Sequence, residues 1–240
     1  ITSSTSSPNK LGPTRYARGC ARRYILRLNM IKVRKLVLGF FIVLLSACAV
    51  IPETKLSEYL NVTDADIYFV PFGPMSNDYL LDLVSYYERT FPLKFGVTAQ
   101  LKFRKEMYTP SRKQFIADEL IYYISKDHSY NNAIYIGVTH LDMYLFNHKW
   151  KFAYSKRVGG NLAVISSARV SRIPQNVPLN IDKVLPGTRK MITKTIGILH
   201  YKKPVNDNPE SVLHGRVLGL DDLDKIREET LFSDILNKKI

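Results

Sequence analysis

The chain has no acidic residue among its first 47 positions and no cysteine beyond Cys48. The first absence locates the charge. Nine of the 35 Lys and Arg fall in that acid-free stretch, so the sequence from Cys48 onward holds 26 basic against 21 acidic residues, a net of +5 rather than the +14 of the whole chain. A mildly basic domain is a poor match to a nucleic-acid binder, whose Lys and Arg would be carried by the fold itself. The second absence excludes a disulfide inside the domain and any cysteine-based zinc site, since Cys20 and Cys48 both precede it. G-x-S-x-G, P-loop and G-x-G-x-x-G signatures are missing too. With 45% hydrophobic residues in 240, the chain can bury one sizeable core.

The N-terminal 60 residues read in three parts. Residues 1–29 are Ser-, Thr- and Arg-rich without apolar periodicity, and read as disordered sequence upstream of a start at Met30. From Met30 to Ala47 a signal peptide is expected: Lys32, Arg34 and Lys35, then an apolar run from Leu36 to Leu45, then small residues. Leu45-Ser46-Ala47-Cys48 resembles the bacterial lipobox, which implies a lipid on Cys48, a tether over residues 48–60 and a place in the cell envelope, at the outer membrane facing the periplasm. The apolar run falls short of the roughly 20 residues a membrane-spanning helix needs.

Residues 61–240 read as one α/β (α+β) domain with a mixed, mostly parallel sheet. Asp66–Phe72 predicts a buried strand, Ser76 to Pro92 a helix with Leu80, Leu83, Val84 and Tyr87 inward, and Val97–Phe103 an alternating strand. Helix packing is expected again after Pro110, with Ile116, Leu120, Tyr123 and Ile124 inward. A third strand spans Ala133–Thr139, prolines 174 and 178 mark a loop, and a last helix spans Leu218–Glu229. Strand, helix, strand suggests a crossover connection.

The stretch of most interest is Lys190-Met191-Ile192-Thr193-Lys194-Thr195-Ile196-Gly197-Ile198-Leu199-His200. It has the spacing of H-E-x-x-H-x-x-G-x-x-H, with Lys190, Met191 and Lys194 at the His, Glu and His positions and Gly197 and His200 in step. Ser211-Val212-Leu213-His214-Gly215 is similar to a Met-turn with Leu213 for Met, a swap of like volume. Arg112-Lys113-Gln114-Phe115, Val138-Thr139-His140-Leu141-Asp142-Met143-Tyr144, Trp150–Tyr154 and Ala163–Arg169 resemble, in order, further segments of the archaemetzincins. The resemblance covers nearly all of residues 64–230. It implies a metzincin-like fold with a degenerate active-site helix, an edge strand over Trp150–Tyr154 and a third His at His200. Where that family has cysteines for a second zinc this chain has none, Tyr201 standing at the first such place.

An ammonium has no lone pair for a metal, and a Met thioether cannot take a proton from water. The expectation is therefore a pseudopeptidase: no catalytic residue, no cofactor, vestigial positions Lys190, Met191, Lys194 and His200, and Lys190 with Lys194 as a candidate anion-binding pair. The ligand expected is an extended or acidic peptide, with no nucleic acid. Zinc held by unexpected ligands, His200 with His214 among them, is the alternative, and a purely structural lipoprotein a third reading. Read without the resemblance, Ile192, Ile196 and Leu199 make one apolar stripe of an ordinary core helix.

Overall fold

The computed structural model describes residues 56–128, 132–170 and 180–236, with side chains through Phe232. The segment read as a signal peptide, Cys20, Cys48 and the loop prolines lie outside the described residues. The first described element is α1 (Leu56–Leu60), within the stretch read as a tether. Its Tyr59 is buried and donates to Glu88 Oε2 at 2.9 Å.

Five strands form the main sheet in the order β2 (Phe95–Val97), β1 (Ile67–Phe72), β5 (Ile134–Thr139), β8 (Leu162–Ser166), β7 (Ser155–Val158). The first four run parallel, and β7 pairs antiparallel with β8 at the edge. Both faces of a parallel sheet must be covered, so its central strands read as continuous apolar runs. In β1, Ile67 and Phe69 enter the core beneath α2 (Asn77–Thr90) and α4 (Ile181–Leu199). Tyr68, Val70 and Phe72 point the other way, to α3 (Ala117–His128) and a small sheet. That small sheet orders β3 (Tyr108–Thr109), β4 (Gln114–Ile116) and β6 (Met143–Tyr144). Ser76 caps α2 by accepting from Tyr79 N, as an N-terminal Ser should.

Three expectations need correction. The strand placed over Val97–Phe103 ends at Val97; only Leu101 bridges back, to Phe72, and Phe103 is exposed. The helix expected after Pro110 starts at Ala117, and Pro110 itself lies in a hairpin turn between β3 and β4, where Lys113 turns at φ +54°. The edge strand lies at Ser155–Val158, just beyond Trp150–Tyr154, which runs as irregular chain along the cleft. The last helix is two, α5 (Leu220–Lys225) and α6 (Glu229–Leu236), broken where extended Ile226 is buried.

The helix holding Lys190–Leu199 is longer than its apolar stripe suggests. Asn180 caps it by accepting from Lys183 N, and Pro186 lies inside it. Ile192 and Ile196 are wholly buried against the sheet and Leu199 nearly so, each contributing on the order of 2 kcal/mol from burial.

Candidate functional site: a cationic cleft beside the long helix

Gly197 sits inside α4, and a Cβ there would come within 2.9 Å of Leu213 Cδ2. The close approach lets the 211–214 turn pack directly beneath the helix. That turn is held locally: Ser211 Oγ accepts from Leu213 N at 3.1 Å, His214 N donates to Ser211 O at 2.9 Å, and Gly215 N donates to Asn206 O at 2.8 Å. Leu213 thus occupies an apolar site under the helix and is itself buried.

Between this turn, α4 and the chain approaching β7 lies a cleft of about 680 Å³, lined by Trp150–Ser155, Arg157, Met191, Lys194 and Gly215–Leu218. Lys151, Arg157, Lys194 and Arg216 line it, and no carboxylate does. Lys194 is 3% exposed, and its Nζ donates to the His214 carbonyl. Burial, and secondarily the charge of Arg157, pushes its ammonium down to about 8. The amine is therefore still mostly protonated at pH 7 but gains a lone pair just above it. Burial also lowers the Arg157 guanidinium. Trp150, 54% exposed, and Leu218, 69% exposed, stand at the rim.

The structure separates the two lysines that the sequence placed together. Lys190 Nζ donates to Leu223 O at 2.9 Å and Asp224 O at 3.4 Å, tying α4 to α5, and it does not line the cleft. Met191 lines the cleft as a buried thioether. His200 caps the far end of α4 and belongs to another cleft, of about 550 Å³, with Asp64, Asp66 and Lys202. Burial lowers its pKa, opposed by Asp66. His214 stays beside Lys194, with its ring Nδ1 buried and unpartnered among the described residues. His140 bonds Ser167 Oγ through Nδ1 at 2.5 Å, and burial brings it to about 4. Among the described residues no three His, Cys, Asp or Glu lie close enough to hold a metal ion.

Sequence reasoning missed the network that holds the cleft wall, although it had singled out each strand of it. Asp142 takes Arg169 in a two-pronged ion pair (2.6–3.0 Å) and accepts from Gln114 Nε2 at 2.9 Å. Gln114 Nε2 also donates to Lys151 O at 2.9 Å. Arg112 lies over the Tyr144 ring at 4.0 Å and donates to the carbonyls of Trp150 and Lys151 at 3.1 and 3.0 Å. Four segments distant in sequence thereby fix the backbone of one rim. Charge-assisted, forked bonds of this kind give geometry as well as energy. Arg157 and Arg216 carried no sequence signal beyond their charge.

No family model matches the chain, and no curated relative does. Solved structures do. The chain is similar to archaemetzincin from Methanopyrus kandleri, with a TM-score of 0.56 at 17% identity over 72% of this chain and 93% of that one. Archaemetzincin from Archaeoglobus fulgidus, complexed with malonate, gives a TM-score of 0.54 at 18% identity over 68% and 92%. A zinc-dependent peptidase from Methanocorpusculum labreanum gives 0.53 at 15% over 68% and 94%. The mixed, mostly parallel sheet and its packed helices are thus the archaemetzincin fold.

Proposed function

We propose that this chain is a catalytically inactive, lipid-anchored relative of the archaemetzincins, acting in the bacterial envelope as a binding module for an extended peptide with an anionic group. The observation that carries the reading is the buried Lys194 amine in a cleft whose other charged lining residues, Lys151, Arg157 and Arg216, are all cations. Low local dielectric strengthens the attraction such a cluster exerts on a carboxylate. The edge strand β7 beside it offers main-chain groups for strand addition.

Zinc does not fit the residues present. Of the four motif positions, an ammonium occupies two, a thioether the third, and His200 faces a different cleft. Too few neutral or anionic donors remain, and Met191 supplies no general base. Membrane attachment would be through Cys48, at the end of the lipobox-like Leu45-Ser46-Ala47-Cys48.

Titration with malonate and with acidic peptides, followed by Trp150 fluorescence, tests the proposal; Trp150 is the chain's one tryptophan and stands at the rim. Lys194→Met is expected to weaken binding by about tenfold or more, as loss of a desolvated charge partner should. Lys190→Ala, remote from the cleft, should leave affinity nearly unchanged. Equal affinity in wild type and Lys194→Met would end the reading. So would stoichiometric zinc with peptide cleavage, which would favour the peptidase alternative.

A further inference from the structure

We propose that Lys194 captures small carbonyl acids covalently, condensing with the aldehyde or ketone of an α-oxo carboxylate to form an imine. The proposal rests on the same cleft accepting an anion, and adds chemistry to it. An amine nucleophile needs three things: access from a cavity, a free-base form near neutrality, and a counter-charge for its substrate.

Lys194 lines the cleft floor beside Met191, and the cleft's volume of about 680 Å³ exceeds what a two- or three-carbon acid requires. Arg157 from β7, Lys151 from the chain leading into it and Arg216 from the loop line the same space and would receive the carboxylate. Asp222 and Asp224 of α5 act electrostatically on Tyr154 in the wall, and neither lines the cleft. Burial and Arg157 have already weakened the amine's hold on its proton.

In the step itself the neutral Nζ adds its lone pair to the carbonyl carbon. The C–N bond forms and the carbonyl oxygen leaves as water, taking one proton from Nζ and one from solvent. The iminium nitrogen keeps one N–H, and the His214 carbonyl, already the acceptor for Lys194, can retain it. The substrate's carboxylate offsets the iminium charge among the arginines. No oxidant or reductant enters.

Glyoxylate with cyanoborohydride at pH 8, followed by proteolysis and mass spectrometry, tests this on the whole chain. Reduction traps the imine as carboxymethyl-lysine. Lys194 should be modified at least about tenfold more than exposed Lys102 and Lys183, because far more of it is free base at that pH. Its labelling should reach half-maximum near pH 8 and fall when malonate is present. Equal labelling of all three lysines, or labelling of Lys194 indifferent to malonate, would overturn the proposal. Malonate binding without trapping would sink the capture step and leave the anion-binding reading standing. Absence of malonate binding by calorimetry would sink the anion-binding reading and this proposal with it, whatever the labelling.

Discussion

Replacing Lys194 by Met should stabilise the fold near neutral pH and flatten its response to alkali. The lysine falls from 10.5 to about 8 on folding, chiefly by burial. At about 1.4 kcal/mol per unit the cost of keeping it charged is at most about 3 kcal/mol. Because the side chain borders an open cleft, solvent screening brings this to roughly 2 kcal/mol. Met matches the stem in volume but leaves the His214 carbonyl without its donor, which costs about 1 kcal/mol. The variant should therefore be more stable by about 1 kcal/mol at pH 7. Between pH 8 and 10.5 the unfolded lysine stays protonated while the folded one has lost its proton, so wild-type stability should rise through that window. The rise should be roughly 2 kcal/mol relative to the variant, which lacks the group. Urea denaturation of both proteins at intervals from pH 7 to 10.5 measures this, and subtracting the two curves cancels the tyrosines and other lysines. Parallel curves across the window, or a variant less stable by more than about 2 kcal/mol at pH 7, would refute the burial of a charged amine.

Affinity for malonate should fall as pH rises through about 8, because the free amine no longer attracts a carboxylate; a flat profile to pH 9.5 by calorimetry would mean that the arginines act alone. Asp142→Asn should lower unfolding free energy by about 2 kcal/mol, since Arg169 and Gln114 both lose a carboxylate partner, and should shift Trp150 emission as the rim loosens; a change under about 0.5 kcal/mol would show the network to be decorative. Gly187→Ala should cost about 3 kcal/mol despite the better helix propensity, because its Cβ would meet Val170 O at 2.6 Å and Val170 Cβ at 2.8 Å; a raised melting temperature would show that this approach can relax. Purified protein is expected to hold no stoichiometric zinc, and His200→Ala should change neither metal content nor melting temperature by mass spectrometry and calorimetry.

Much of the fold was legible because both faces of its sheet are covered. Continuous apolar runs at Ile67–Phe72 and Ile134–Thr139 can only be interior strands, and the helix between Ser76 and Pro92 carries its own cap and stop. Local sequence was a weaker guide where tertiary contacts set the limits: β2 stops at Val97 although alternation continues to Phe103, and α5 ends at an extended Ile226 that the core holds.

By itself the sequence determined which side chains stand at positions 190, 191, 194 and 200, and that the first three are not of the His and carboxylate types a catalytic zinc site uses. It also determined that the positive charge is concentrated before the domain. Only the tertiary structure decided what those residues face. Lys190 and Lys194 are one helical turn apart, yet one ties α4 to α5 and the other closes a cleft, while His200 at the end of the same helix opens onto a different one. Charges brought together from Lys151, Arg157 and Arg216 make that cleft cationic, and segments around Arg112, Asp142, Trp150 and Arg169 fix its wall. Convergence of this kind depends on how distant strands pack, which no spacing along one chain encodes.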